Sequence, residues 1–180
     1  MRQYLISIFA CSAIYYISFV LNMLFFDFYI HSYGVNWVFM PSGVQLVLVL
    51  IAVESAAIAI AIVSWIIGFY YFFTGSVFFT LITGIIAGLS PLLARKVAFD
   101  YLKIEDDLKN LTFIGILKTS IIFASISAIL HQLWYFHSSQ SENFLQNLAV
   151  MAIGNLLGTL IVLVLIKLLA DKLKKKIPFE

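Results

Sequence analysis

Apolar residues run along this chain in blocks far too long for strands, separated by short polar stretches. The blocks cover residues 4–26, 38–73, 77–94, 112–135 and 144–169. Four of them match the roughly 20 residues a helix needs to cross a bilayer, whereas 38–73 is too long for one upright span. From Leu46 to Phe73 only the pair Glu54-Ser55 interrupts the apolar run. A carboxylate at mid-bilayer is costly, so a tight turn at Glu54 is the economical reading. It divides the long block into helices 38–53 and 55–73. The expected fold is therefore all-α, a polytopic membrane protein built as a compact bundle of six transmembrane helices in one integral domain.

The polar stretches supply the connections. An outer loop covers 27–36, where Phe28, Tyr29, Tyr33 and Trp37 mark the interface in which amphipathic rings settle. Thr74-Gly75-Ser76 forms a second outer turn, and 137–143 a third, with Asn143 placed to cap the last helix. The inner loop 95–111 has a pattern of its own. Val97, Tyr101, Ile104, Leu108 and Leu111 recur at spacings of four and three, which predicts one face of a short helix. Lys96, Asp100, Lys103 and Asp107 are distributed elsewhere around it.

Charge then orients the bundle. With six crossings, all 11 Lys and Arg residues fall on one side. Arg2 lies at the N-terminus, and Arg95, Lys96, Lys103, Lys109 and Lys118 lie in or beside the 95–111 loop. Lys167, Lys172, Lys174, Lys175 and Lys176 lie on the tail. The opposite side keeps Asp27, His31, His131, His137 and Glu142 as its ionisable groups. Positively charged loops stay cytoplasmic, so both termini are expected inside a bacterial inner membrane. Composition agrees: 63% of residues are hydrophobic and 11% charged, against about 25% charged in soluble domains. The net charge of +2 comes from this rim and does not point to nucleic acid. The basic tail reads as a stop after the last helix. The single cysteine, Cys11, excludes an intrachain disulfide and reads as a core thiol. The first helix has no small-x-small cleavage site and reads as retained.

Candidate chemistry is sparse. Spanning helices pack through small residues, because lipid is as apolar as leucine. Gly84-x-x-x-Gly88, Gly154-x-x-x-Gly158 and the strip Ala57, Ala59, Ala61 are expected to serve packing within the chain. Met40-Pro41-Ser42-Gly43-Val44-Gln45 opens the second helix with proline in its first turn, where the missing N–H costs nothing. Ser42, Gly43 and Gln45 could there hold a polar group of a ligand. Trp37, His131, Trp134 and Asn147 would complete an outward-facing pocket of aromatic walls and a few polar groups. Glu54 is expected at the inner surface, paired with Lys118. Asn155 lies within the last helix and must find a partner there. There is no Gly-rich phosphate loop, no Cys/His cluster at metal spacing and no nucleophile beside a base. Neither enzyme activity, cofactor nor metal is therefore expected.

With those residues in view, the chain resembles the first type of bacterial membrane-associated sensor domain. That module precedes cyclase or kinase domains, and a divergent version occurs in hexose-phosphate sensor kinases. The resemblance rests on Trp37-Val38-Phe39-Met40-Pro41-Ser42-Gly43-Val44, on the small-residue helix 54–68, and on Asn155-Leu156-Leu157-Gly158. The family has Asp-x-x-Gly at the last of these, so Asn155 removes a charge there. The resemblance implies a sensor-like module that binds a small ligand or a membrane partner. No output domain follows Lys176, which implies signalling through another protein, reached by 95–111 and the tail. A six-helix chain of this length is also compatible with the substrate-binding subunit of an energy-coupling-factor vitamin transporter, or with a structural subunit. The small-residue docking pattern expected of the former is not evident in the first helix.

Overall fold

The computed structural model describes residues 2–32, 34–106 and 108–176. Tyr33, Asp107 and the tail 177–180 lie outside the described residues, as do the side chains of Lys174, Lys175 and Lys176. The described chain is all-α but for one small hairpin. Helix α1 spans Arg2–Phe26, α2 Met40–Ile67, α3 Val77–Leu102, α4 Phe113–His137 and α5 Phe144–Lys176. Strands β1 (Ile30–Ser32) and β2 (Val35–Asn36) pair antiparallel between α1 and α2.

All five helices are long and apolar enough to cross a membrane. Their polarity is reversed from that of a soluble bundle. Large apolar side chains such as Phe9 (78% exposed), Leu24, Ile51, Ile85, Leu133 and Leu157 face outward. Asn22, Gln45, Thr80, Thr119, Gln132 and Asn155 are buried. An exterior this apolar suits hydrocarbon, and the chain is a membrane protein. Hydroxyls inside the helices satisfy themselves locally. Thr83, Ser90, Thr119, Ser120 and Thr159 each donate to the carbonyl four residues back.

Five separate helices stand where six were expected, and the difference lies at Val53. The second and third expected helices form one continuous element, α2, prolonged by a wider turn over Gly68–Phe72. Val53 breaks it, with φ 41° and ψ −108°. A straight helix would hold Gln45 and Ser64 about 28 Å apart. Both instead reach one atom: Gln45 Nε2 donates to the Tyr15 hydroxyl at 2.8 Å, and Ser64 Oγ lies 2.9 Å from it. Helix α2 is therefore folded back on itself at Val53. Residues 40–52 run against α1, with Asn22 accepting from the Met40 N–H at 2.8 Å. The second half runs alongside α1, through Ser7–Ser55 at 2.7 Å and Tyr15–Ser64.

Small residues set the helix spacings. A Cβ on Gly84 would lie 2.6 Å from the Ala61 carbonyl oxygen, and one on Gly88 would overlap that of Ala57. The Gly84/Gly88 face of α3 thus packs against the small-residue strip of α2. Gly154 and Gly158 face the entry to α2 rather than the length of a helix. They receive the extended segment 36–39, whose carbonyls at Asn36 and Phe39 occupy the space a Cβ would need. Phe39 N–H donates to Gly154 O at 3.1 Å. The segment's backbone is non-helical and is received by α5 through these contacts.

At the inner end the expected amphipathic face does not form. Helix α3 continues past Ala94 to Leu102 and stops at Lys103, which adopts the left-handed conformation (φ 54°). Val97 and Tyr101 point outward, whereas Ala98, Phe99, Leu102 and Ile104 join the core. The helix keeps its register with α4 instead of restarting, so the buried face is set by Ala94, Ala98 and Phe99.

Candidate functional site

Helices α1, α3, α4, α5 and both halves of α2 enclose a cavity of about 80 Å³ below the β-hairpin. Its polar lining comes from Tyr15, Asn36, Gln45, Ser64, Thr83, Ser127, His131, Tyr135 and Asn155. Phe19, Phe39, Phe72 and Phe73 supply apolar walls. No Asp, Glu, Lys or Arg lines it among the described residues.

Most of these polar groups are fixed by a neighbour on another turn or helix. Tyr15 is buried in α1 and joins the two halves of α2 through Gln45 and Ser64. On α4, His131 Nδ1 lies 2.8 Å from the carbonyl oxygen of Ser127, one turn earlier. A carbonyl only accepts, so the proton is assigned to Nδ1, and Nε2 of the neutral ring is an acceptor. Ser127 Oγ is 3.5 Å from the same Nδ1, but that nitrogen is engaged as a donor and does not activate the hydroxyl. Asn155 Nδ2 on α5 donates to Ser127 Oγ at 3.3 Å, linking α5 to α4. Asn36 Oδ1, at the end of β2, is buried and has no hydrogen-bond partner.

The hairpin closes this cavity because of two local features. Gly34 takes a positive φ of 73°, and its would-be Cβ lies 3.0 Å from the Tyr135 hydroxyl. Glycine therefore lets the turn settle onto α4. Val35 and Asn36 follow it into the bundle, 1% and 5% exposed, where a solvent loop was expected.

Of the expected pocket residues, Gln45 and His131 line the cavity, and Asn155 joins them. The others lie elsewhere. Ser42 Oγ donates to Asn155 O at 2.7 Å and lies 3.2 Å from Thr159 Oγ1, tying α2 to α5. Gly43 lets Val162 and Thr159 approach. Trp37 is on the surface beside His31. Trp134 stacks on Phe79 at 5.6 Å between ring centres and donates to its carbonyl. Asn147 belongs to a separate outer chain of hydrogen bonds: it donates to Ser141, which donates to Gln132, and it accepts from Ser32. Only part of the expected set thus meets, at an inner cavity. Tyr15, Asn36, Ser64, Thr83, Ser127 and Tyr135 were not foreseen. Regular spacing in α1 and α4 would have put Tyr15 and Ser127 on buried faces, but it could not bring those faces together.

The turn of α2 lies at the other end of the bundle. Val53, Glu54, Arg95, Lys96, Phe99 and Asp106 line a groove of about 480 Å³ there. Arg95 pairs with Asp106 at 2.9 Å and lies over the Phe99 ring. Glu54 makes no ion pair with Lys118 among the described residues, because Arg95, not Lys118, faces its groove. Comparison with protein families, curated proteins and solved structures returns no match for this chain.

Proposed function

We propose that this chain is a non-enzymatic, sensor-like module of the bacterial inner membrane, which binds a small ligand in the central cavity and signals through a partner protein. The observation that carries the reading is the convergence of polar side chains from every helix on one enclosed space, inside a molecule whose exterior is apolar. Folding back of α2 supports a reading of six crossings, in which both termini lie on the cytoplasmic side with the cations. A ligand signals only if it binds two arrangements of the bundle unequally. Gln45 and Ser64 stand on opposite halves of α2, so a ligand that spreads or closes them moves the Val53 turn and the groove beside Glu54. That groove, the 103–112 connection and the tail are the surfaces offered to a partner. The resemblance to the membrane-associated sensor domains points the same way.

The rival is a substrate-capturing transporter subunit, favoured by the hairpin that covers the cavity. The cavity volume argues against it, since sites for vitamin-sized molecules run from about 300 Å³. Purification of the tagged chain from native membranes in mild detergent, followed by mass spectrometry, separates the two. A stoichiometric kinase, cyclase or carrier is the expected companion. Co-purifying paired ATPases would replace the sensor with the transporter, and a solitary chain would contradict both.

A further inference from the structure

The cavity offers open hydrogen-bond acceptors. Asn36 Oδ1 is buried and has no partner among the described residues, which native structures rarely allow. His131 spends its Nδ1 proton on the Ser127 carbonyl, which leaves Nε2 as a lone pair beside the cavity. Asn155 gives one of its two Nδ2 hydrogens to Ser127 Oγ, which holds α5 against α4 at the same place. Two open acceptors, from β2 and α4, therefore border one space. A ligand that satisfies them brings N–H or O–H donors.

Charge and size narrow the class further. No acidic or basic side chain lines the cavity among the described residues, so an ion entering it would lose its hydration without gaining a counter-charge. That penalty is several kcal/mol per ion. The volume of about 80 Å³ is well under the 150 Å³ of an engineered cavity that admits benzene, which limits the occupant to a few heavy atoms. We propose that the cavity takes a small uncharged hydrogen-bond donor, a primary amide or a short hydroxyl compound, held by Asn36 on the hairpin and His131 on α4. This rests on reading the cavity as a binding site. It adds to that reading the ligand's class and makes the hairpin one of its contacts.

Four probes of nearly the same shape test the class: acetamide, acetone, acetate and acetamidinium. Each is added to the purified full chain in nanodiscs, with binding read by saturation-transfer NMR and by the shift in melting temperature. Acetamide is expected to bind, and acetone, acetate and acetamidinium to bind at least about tenfold more weakly. Asn36→Leu keeps the volume and is expected to weaken acetamide by about tenfold. Asn36→Asp, which supplies a negative acceptor, is expected to move the preference to acetamidinium; that gain cannot come from misfolding. Equal binding of acetone, or tighter binding of either ion to the unmodified chain, would overturn the ligand class while leaving a binding site. If none of the four binds, and both Asn36 variants melt and respond like the unmodified chain, the cavity holds solvent alone. The binding-site reading then falls with the class.

Discussion

Val53 stands in a backbone conformation that a β-branched residue rarely adopts, with φ 41°. Such a position costs of the order of 1–3 kcal/mol and persists only where the surroundings impose it. Here the imposing contacts are Tyr15 with Gln45 and Ser64, which hold the halves of α2 together. Val53→Gly removes the strain, against about 0.5–1 kcal/mol for the freer unfolded chain. A net gain of roughly 1 kcal/mol is expected, seen as a higher melting temperature in detergent; a lower one would place the strain elsewhere. Valine in an apolar run carries no signal of this, and only Glu54 next to it did. Gln45, His131 and Asn155 were legible for a like reason, since an amide or imidazole in an apolar block must find a partner. Tyr15 and Ser64 were not, because tyrosine and serine have ordinary roles in spanning helices and nothing local distinguishes theirs.

At the scale of elements, the apolar blocks were readable from polarity, but the end of α3 and the packing partners of Gly154 and Gly158 were not. Gly84 and Gly88 meet the alanine strip that spacing suggested. Gly154 and Gly158 carry the same motif but receive an extended segment, because Pro41 fixes where α2 starts and leaves 36–39 outside it. A methyl on Gly158 would overlap the backbone of Phe39, which cannot rotate away as a side chain can. Gly158→Ala is therefore expected to destabilise the protein by about 1–3 kcal/mol. Gly68→Ala, whose Cβ would meet Thr80 at an ordinary 3.4 Å, is the control and is expected to change little. Comparable melting temperatures for the two variants would show that 36–39 does not bear on α5. The loop 95–111 misled for a related reason: only its first part is helical, as the end of α3, where Ala98 and Phe99 are buried instead of Val97 and Tyr101. Ile104 and Leu108 reach the core from the connection beyond.

For the whole molecule, helix count and crossing count come apart. Five straight spans would leave the termini on opposite sides of the membrane, whereas a folded α2 returns both to one side. Fluorescent-protein fusions at either end are expected to light up in the cytoplasm, and alkaline phosphatase at either end to stay inactive. Opposite results at the two ends would mean that α2 does not reverse. The cations alone argue for an even number of crossings, because Lys and Arg avoid translocation whichever helices join. What they could not reveal is the interior, since a cavity assembled from six segments has no linear signature.

The extended segment 36–39 also dictates an order of events during synthesis. Residues 40–52 make only about 20 Å of helix, short of a bilayer about 30 Å thick. The remainder of that crossing is bare peptide, and Gly154 supplies the carbonyl that takes up the Phe39 N–H. Gly154 leaves the ribosome more than a hundred residues after Phe39. An early part of the chain thus waits, with an unmet backbone donor, for the last helix to arrive. Nascent chains interrupted before α5 would stay open at this point, a mark by which a membrane protease can tell an unfinished copy from a complete one.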